Sequence, residues 1–542
     1  MILKTPPQTS DRRLILLLFV AALLLFCIDL GGVPLRDWDE GTVAQVAREI
    51  SRGETWAAWL HPQLWGQPYL NKPPLMHGLI AVAYRLWGEQ TWVARLPGAL
   101  LTAVSVPLLF LLGREIFPTR LPALLGASVY LTLLPVVRHG RLAMLDGAIV
   151  CFFLATLWML VQVIASPISS TRRSPYWYYG VGIGFALMGL TKGILAVLLM
   201  AIALLFLAWA DPKQLRSPHL WLGLCLGSLP VIGWYLLQWQ YYGQQFVDTA
   251  VMTQSLDRIW STVERHAGAP WYYLLELLKY SWPWLIFWPT GAWLTWRSRH
   301  QPWSKLLLVW TGAYLLTISV MGTKLPWYVF PLYPAIALTC GVALAAAWNK
   351  HQHWHRRGLS IQHLPKAWGI LLTVFSVAGA AGVVYASPWG GEPSWALALT
   401  FLSVMMAAGL AALFVFRQQV AFVPMLLVGF YVALLCLMVS DHWVWELGED
   451  FPVLPVAALV QQQTPPGQVV YTSHTYERPS LNFYSDRRII PLPAAELQAQ
   501  WQTAQPIYLL VQDIAPYQRN PETLTDLGTA DGWYLLFNQR SE

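Results

Sequence analysis

The residues best placed to do chemistry are charges that stand where a chain this apolar should not carry them. Lys72, Arg138, Arg141, Lys192 and Lys324 each lie at the end of a long apolar stretch or in a loop between two of them. So do the carboxylates of Asp37, Asp39 and Glu40, in LRDWDEGTVAQVAREI, and of Asp146, in RHGRLAMLDGAIV. Cations near hydrocarbon are costly unless something compensates them. Lipid headgroups or internal ion pairs could do so singly. For all of them on one face, a shared anionic ligand is the better reading, and a phosphate suits Lys and Arg. A carboxylate beside such a cluster, Asp39 foremost and Glu40 next to it, can take the proton of an incoming hydroxyl or amine. Asp146 is equally readable as the cap of a helix N-terminus. A base, phosphate-binding cations and a mouth open to lipid are the parts needed to move a sugar from a lipid-linked phosphosugar. The leaving group is already a phosphate, so protein cations can stabilise its growing charge without a divalent metal.

The elements that must position these residues are membrane helices. The chain has 542 residues, 56% hydrophobic and only 12% charged, against about 25% charged for a soluble domain. Its 31 Trp suit membrane interfaces. A span needs roughly 20 apolar residues, and about 13 stretches qualify: 13–30, 96–113, 121–137, 143–165, 177–191, 193–210, 218–238, 283–296, 304–320, 327–347, 367–386, 395–416 and 420–440. The first, after Met1 to Arg13, reads as a retained helix rather than a cleaved signal. With Lys4, Arg12 and Arg13 in the cytoplasm, the alternate loops on that side carry Arg114 and Arg120; Arg172 and Arg173; Lys213 and Arg216; Arg297, Arg299 and Lys305; Lys350, Arg356, Arg357 and Lys366; and Arg417. That is the positive-inside pattern. It leaves the misplaced cations and the acids on the outer face.

The expected architecture is therefore a polytopic α-helical membrane domain, residues 1–445, followed by a small extracytoplasmic α/β domain, residues 446–542. In the tail, strands are predicted at Gln468–Tyr471, Pro506–Val511 and Trp533–Phe537, with a helix at Pro493–Gln502. Two long outer loops, about 31–95 and 240–282, are rich in Trp and Tyr. Helical stretches in them, such as Gly41 to Ser51, read as amphipathic pieces lying in the interface. Cys27, Cys151, Cys225, Cys340 and Cys436 all sit in apolar segments, with neither a CxxC spacing nor a disulfide framework. There is no long basic run to bind nucleic acid. A membrane transporter or lipid-linked sugar flippase is the alternative. It would place ionisable groups at the midplanes of the spans, which here are almost free of them, and no internal repeat supports it.

Several motifs occur in an order that resembles a known family. They are Asp39-Glu40 after the first span, YLNKPPLMHGLIAVAYRLWGEQTWVARLPGAL from Tyr69 to Leu100, RLAMLDG, GLTKG, HAGAPWYYLLELL and GTKLPWYVFPLYPAIAL. Together they resemble the protein O-mannosyltransferases and aminoarabinose transferases, glycosyltransferases of the GT-C type, over nearly all of the membrane region. The resemblance implies a multi-pass protein of the plasma (inner) membrane, with its active site on the extracytoplasmic side and a polyprenyl-phosphate sugar as donor. The acceptor would be a lipid, protein or glycan. It implies Asp39 as base, Lys72 and Lys192 as donor-phosphate ligands, and Arg141 and Lys324, with Arg138, as further cations of the cavity. Asp146 matches the family's second functional carboxylate, orienting the acceptor or the cations. His266 and Tyr328 are further candidate cavity residues. In aminoarabinose transferases an acidic residue before the lysine-diproline segment helps a downstream histidine bind a metal. Here that position is Asn71, a poor substitute for a carboxylate ligand, so no metal and no cofactor are expected. The tail segment YERPSLNFYSDRRIIPL resembles the family's outer domain, and its Tyr476, Arg478 and Asp486 are read as solvated loop residues.

Overall fold

The computed structural model describes residues 9–165, 175–263, 266–349, 361–444, 453–502, 506–518 and 524–538. The loop cations Lys4, Arg172, Arg173, Lys350, Arg356 and Arg357 lie outside them. The chain divides into two compact units. One is Met1–Leu30, Leu70–Met76 and Arg95–Trp443; the other is Gly31–Tyr69, His77–Ala94 and Val444–Glu542.

The first unit is helical. Helices lie at each of the apolar stretches read from the sequence, but they are not equally long. Among the described residues seven are long and apolar enough to cross a membrane, eight if one bent pair counts as a single span. The bent pair is Arg120–Leu131 and Leu134–Gly140, which meet at 58°. Pro135 opens the second helix; it has no N–H to donate, and its ring would clash with a continuing helix. The stretch at 283–296 becomes a 3-10 turn, Trp284–Ile286, and the ten-residue helix Trp288–Arg297, about 15 Å long and too short to span. Ile194–Ala210 and Phe422–Met438 are apolar but, at 17 residues each, shorter than those seven.

Close packing of small residues sets the helix spacing, as it must where lipid is as apolar as leucine. Tyr333–Trp348, built from YPAIALTCGVALAAAW, is buried along its length. A Cβ added to its Gly341 would strike the backbone of Gly126 and Pro122. The same holds where Tyr176–Lys192 crosses Pro218–Tyr242: Gly182 lies against the Gly223 and Gly227 main chain, leaving no room for a methyl group.

The second unit holds a five-stranded sheet in the order Arg488–Pro491, Val469–Thr472, Ile507–Val511, Trp533–Asn538, Leu524–Ala530. The first three strands are parallel and the last two antiparallel. Alternation along Ile507–Val511 sends Leu510 to one face, with Val456 and Val460 of the helix Val453–Gln463, and Leu509 to the other, with Leu497 and Trp501. Two strands, Arg488–Pro491 and Leu524–Ala530, were not anticipated. Nor was the place of the stretch at Gly41–Ser51. It forms the helix Asp39–Arg52, and its apolar face is buried in protein rather than laid on lipid. Its Gly41 lies so close to Pro479 and Ser480 that no side chain would fit.

Candidate active site

Two of the misplaced cations meet at one cleft of the helical unit. Lys192 is the last residue of Tyr176–Lys192, and Gly193, at φ 47°, turns the chain into Ile194–Ala210. Lys72 stands just before two prolines and the helix Leu75–Trp87. Both lysines line the cleft with Asn71, Tyr235, Gln254 and Ser255. The apolar side is built from Leu70, Trp234, Phe246 and Ala250. Two ammonium groups among neutral hydrogen-bonding side chains, with an apolar wall beside them, suit an anionic headgroup on a lipid chain.

Asp146 lies behind Lys192. It is 1% exposed and opens the helix Asp146–Ala165, where the helix dipole favours a negative charge. Its Oδ1 accepts from Lys192 Nζ at 2.7 Å, and its Oδ2 lies 3.5 Å from His139 Nε2. The His139 ring is held by Trp327, at 6.2 Å and nearly parallel, and by Phe330, at 5.3 Å. The two carboxylate oxygens of Asp146 thus face Lys192 and His139.

Arg141, Arg138 and Lys324, read as donor-phosphate ligands, carry other bonds. Arg141 is fully buried; it donates to the Leu25, Asp29 and Met438 carbonyls at 2.9, 3.1 and 3.4 Å, and its guanidinium sits 4.7 Å from the Trp443 ring centre. Arg138 Nε donates to the Trp443 carbonyl at 3.0 Å. Lys324 Nζ donates to the carbonyls of Ile318, Ser319 and Met321 at 2.9, 2.7 and 2.6 Å, closing the C-terminal end of Pro302–Val320. His266 is exposed, and its carbonyl accepts the Lys324 N–H at 2.9 Å. The Tyr328 hydroxyl lies 3.4 Å from Arg258 Nη1. Among the described residues no group of three or more His, Cys, Asp and Glu is placed to hold a metal.

The other unit sorts the acidic trio. Asp37 is 1% exposed and takes the Arg478 Nε at 2.8 Å, the Ser480 N–H at 3.0 Å and the Ser480 hydroxyl. Glu40 is fully buried and accepts the Arg36 N–H at 2.9 Å. Asp39 alone keeps its carboxylate partly open, the side chain being 33% exposed, with Arg36 Nη2 at 3.1 Å. Burial, with Asp39 as a lesser cause, raises the pKa of the Tyr69 phenol well above its usual range, so the ring stays neutral. Arg48 and Arg52 join Glu89 and Asp486 in one ion-pair network. Arg478 and Asp486 are thus working parts of the fold and not solvated loop residues. Sequence reasoning also passed over His139, Tyr235, Gln254 and Ser255. His139 had a usable signal, because it precedes Arg141 and Asp146 in the quoted RHGRLAMLDGAIV.

The motif resemblance is borne out by comparison with known proteins. The family described as dolichyl-phosphate-mannose-protein mannosyltransferase matches residues 71–236. An undecaprenyl phosphate-alpha-4-amino-4-deoxy-L-arabinose arabinosyl transferase of Pseudomonas fluorescens is 28% identical over 342 residues, 60% of this chain and 59% of that protein. Its counterpart in Pectobacterium carotovorum is 29% identical over 62% of this chain and 58% of its own. The chain thus matches just under three fifths of the length of these relatives. The crystal structure of ArnT from Cupriavidus metallidurans bound to undecaprenyl phosphate shares the fold across 97% of this chain and 98% of its own, at 20% identity and a TM-score of 0.74.

Proposed function

We propose that this membrane protein, a relative of the protein O-mannosyltransferases and aminoarabinose transferases of the GT-C type, moves a sugar from a polyprenyl-phosphate donor to a hydroxyl or amine of a lipid, protein or glycan. The observation that carries the reading is the convergence of Lys72 and Lys192 on one cleft with an apolar wall. The donor phosphate sits between the two ammonium groups. As the sugar–phosphate bond breaks, they take up the charge left on the phosphate. Asp39 accepts the proton of the attacking hydroxyl or amine; it is favoured over Asp37 and Glu40 because their carboxylates are buried and engaged. Asp146 keeps Lys192 in place. No metal takes part in this scheme, in line with Asn71 at the position where the resemblance expects an acidic ligand. The site and the C-terminal α/β domain lie on the extracytoplasmic side of a helical membrane domain, with the N-terminus in the cytoplasm. The basic alternate loops support that orientation. A transporter is not favoured, since the named relatives are transferases.

The test is release of free polyprenyl phosphate by the purified protein in lipid, from a panel of polyprenyl-phosphate sugars with candidate acceptors. Asp39→Asn is expected to slow release by roughly 10²–10⁴-fold without changing the amount of folded protein. Normal turnover in that variant removes Asp39 as base, and no release by the wild type from any donor and acceptor sinks the transferase reading.

A further inference from the structure

The turn that presents Asp39 is strained, and the groups that hold it come from the far end of the sequence. Trp38 has φ 63° and ψ −72°. Across it the Asp39 N–H donates to the Asp37 carbonyl at 2.8 Å. This is the three-residue turn of positive φ, rare and strained for any residue with a side chain. A bulky indole pays more for it than glycine would. Nor is the cost recovered by burying the ring, since Trp38 remains 46% exposed. Such a conformation persists only where its surroundings over-determine it.

Here they do, on both sides of the turn. Before it, Asp37 is gripped by Arg478 and twice by Ser480, and Arg478 is itself 2% exposed. Two residues earlier, the Leu35 N–H donates to the Tyr484 hydroxyl at 2.8 Å. After it, Glu40 closes back on the Arg36 N–H, and the bare Cα of Gly41 lets Pro479 and Ser480 approach. These hydrogen bonds and the close approach at Gly41 come from the short segment 478–484, and the Trp38 ring lies 6.1 Å from that of Tyr476, just ahead of it. A buried ion pair alone is weak support for stability. A buried ion pair fastened to a strained turn beside a partly open carboxylate suits the aiming of that carboxylate.

We infer that residues 478–484 position the reacting carboxylate: Arg478, acting through Asp37, holds the strained turn at Trp38 closed and thereby fixes the direction of Asp39. Arg478 is a positioning residue that touches no substrate. The inference rests on Asp39 being the base, as proposed above.

The experiment uses the full-length protein in lipid. Arg478→Ala is expected to lower the turnover number roughly 100-fold and leave the donor KM within about twofold, while amide hydrogen exchange quickens across residues 36–45. Ser480→Ala, a milder change, should move both readouts the same way by less. Trp38→Gly placed on Arg478→Ala should recover turnover roughly tenfold, because glycine adopts the turn without strain. A purely structural Arg478 would show no such recovery, and its loss would lower turnover only in step with the amount of folded protein; either result overturns the inference. So does wild-type turnover in Arg478→Ala. If Asp39→Asn turns over normally, the base assignment has failed instead. Amide exchange then still decides the positioning claim, and unchanged exchange in Arg478→Ala overturns it.

Discussion

Lys192 and Lys324 are the same residue type at comparable places, the C-terminal ends of Tyr176–Lys192 and Pro302–Val320, yet the two regions use them differently. An ammonium has three donors. Lys324 commits all of them to main-chain carbonyls at 2.6–2.9 Å, where the orphan acceptors and the negative end of the helix dipole hold a cation well. Lys192 commits one to Asp146 at 2.7 Å and lines the cleft. Topology marks both lysines as out of place, and burial does not separate them sharply. What separates them is how many donors are left for a ligand.

That comparison is open to being broken. The largest effects are expected on the cleft side: Lys72→Ala or Lys192→Ala should weaken binding of a polyprenyl phosphate roughly 10–100-fold, read by titration in lipid. Unchanged affinity in both variants would end the idea that they receive the phosphate. Removing Lys192 also strands a buried carboxylate, so pairing it with Asp146→Asn sharpens the result: affinity should stay low while thermal stability recovers. Lys324→Met is the mirror experiment. It should cost about 1–3 kcal/mol of stability and leave lipid-phosphate affinity within about twofold. A fall in affinity with no fall in melting temperature would place Lys324 among the ligands after all. Smallest is His139→Gln. With 3.5 Å between His139 Nε2 and Asp146, its loss should change affinity by less than about threefold. A larger change would mean that Asp146 depends on both neighbours to hold Lys192.

What the sequence could reveal follows the same division. The apolar stretches were legible because a bilayer demands long runs of one kind of residue. Lys72 and Lys192 were legible because cations in loops that the charge pattern assigns to the outer face break a rule. The bend at Pro135 and the short helix Trp288–Arg297 were blurred, since a hydropathy window averages over a break. Donor commitment was invisible: nothing local in GTKLPW says that Lys324 will meet three carbonyls, and nothing in RDWDE says that Asp37 will be buried while Asp39 stays partly open. That difference depends on Arg478 and Ser480, more than 400 positions away in the sequence. Gly41–Ser51 was misplaced for a related reason. Its amphipathic pattern fixes that one face is buried, but not whether the cover is lipid or protein.

The glycine crossing between Tyr176–Lys192 and Pro218–Tyr242 carries a consequence for the bilayer itself. Lys192 ends the first of these helices, and Tyr235 lies on the second. Because Gly182 meets the Gly223 and Gly227 main chain without intervening side chains, the pair has little freedom to slide. When a membrane thins, helices relieve the hydrophobic mismatch by tilting, and two rods locked at their crossing tilt as one. The separation of Lys192 from Tyr235 is then nearly independent of acyl-chain length, and the cleft keeps its width in membranes of different thickness.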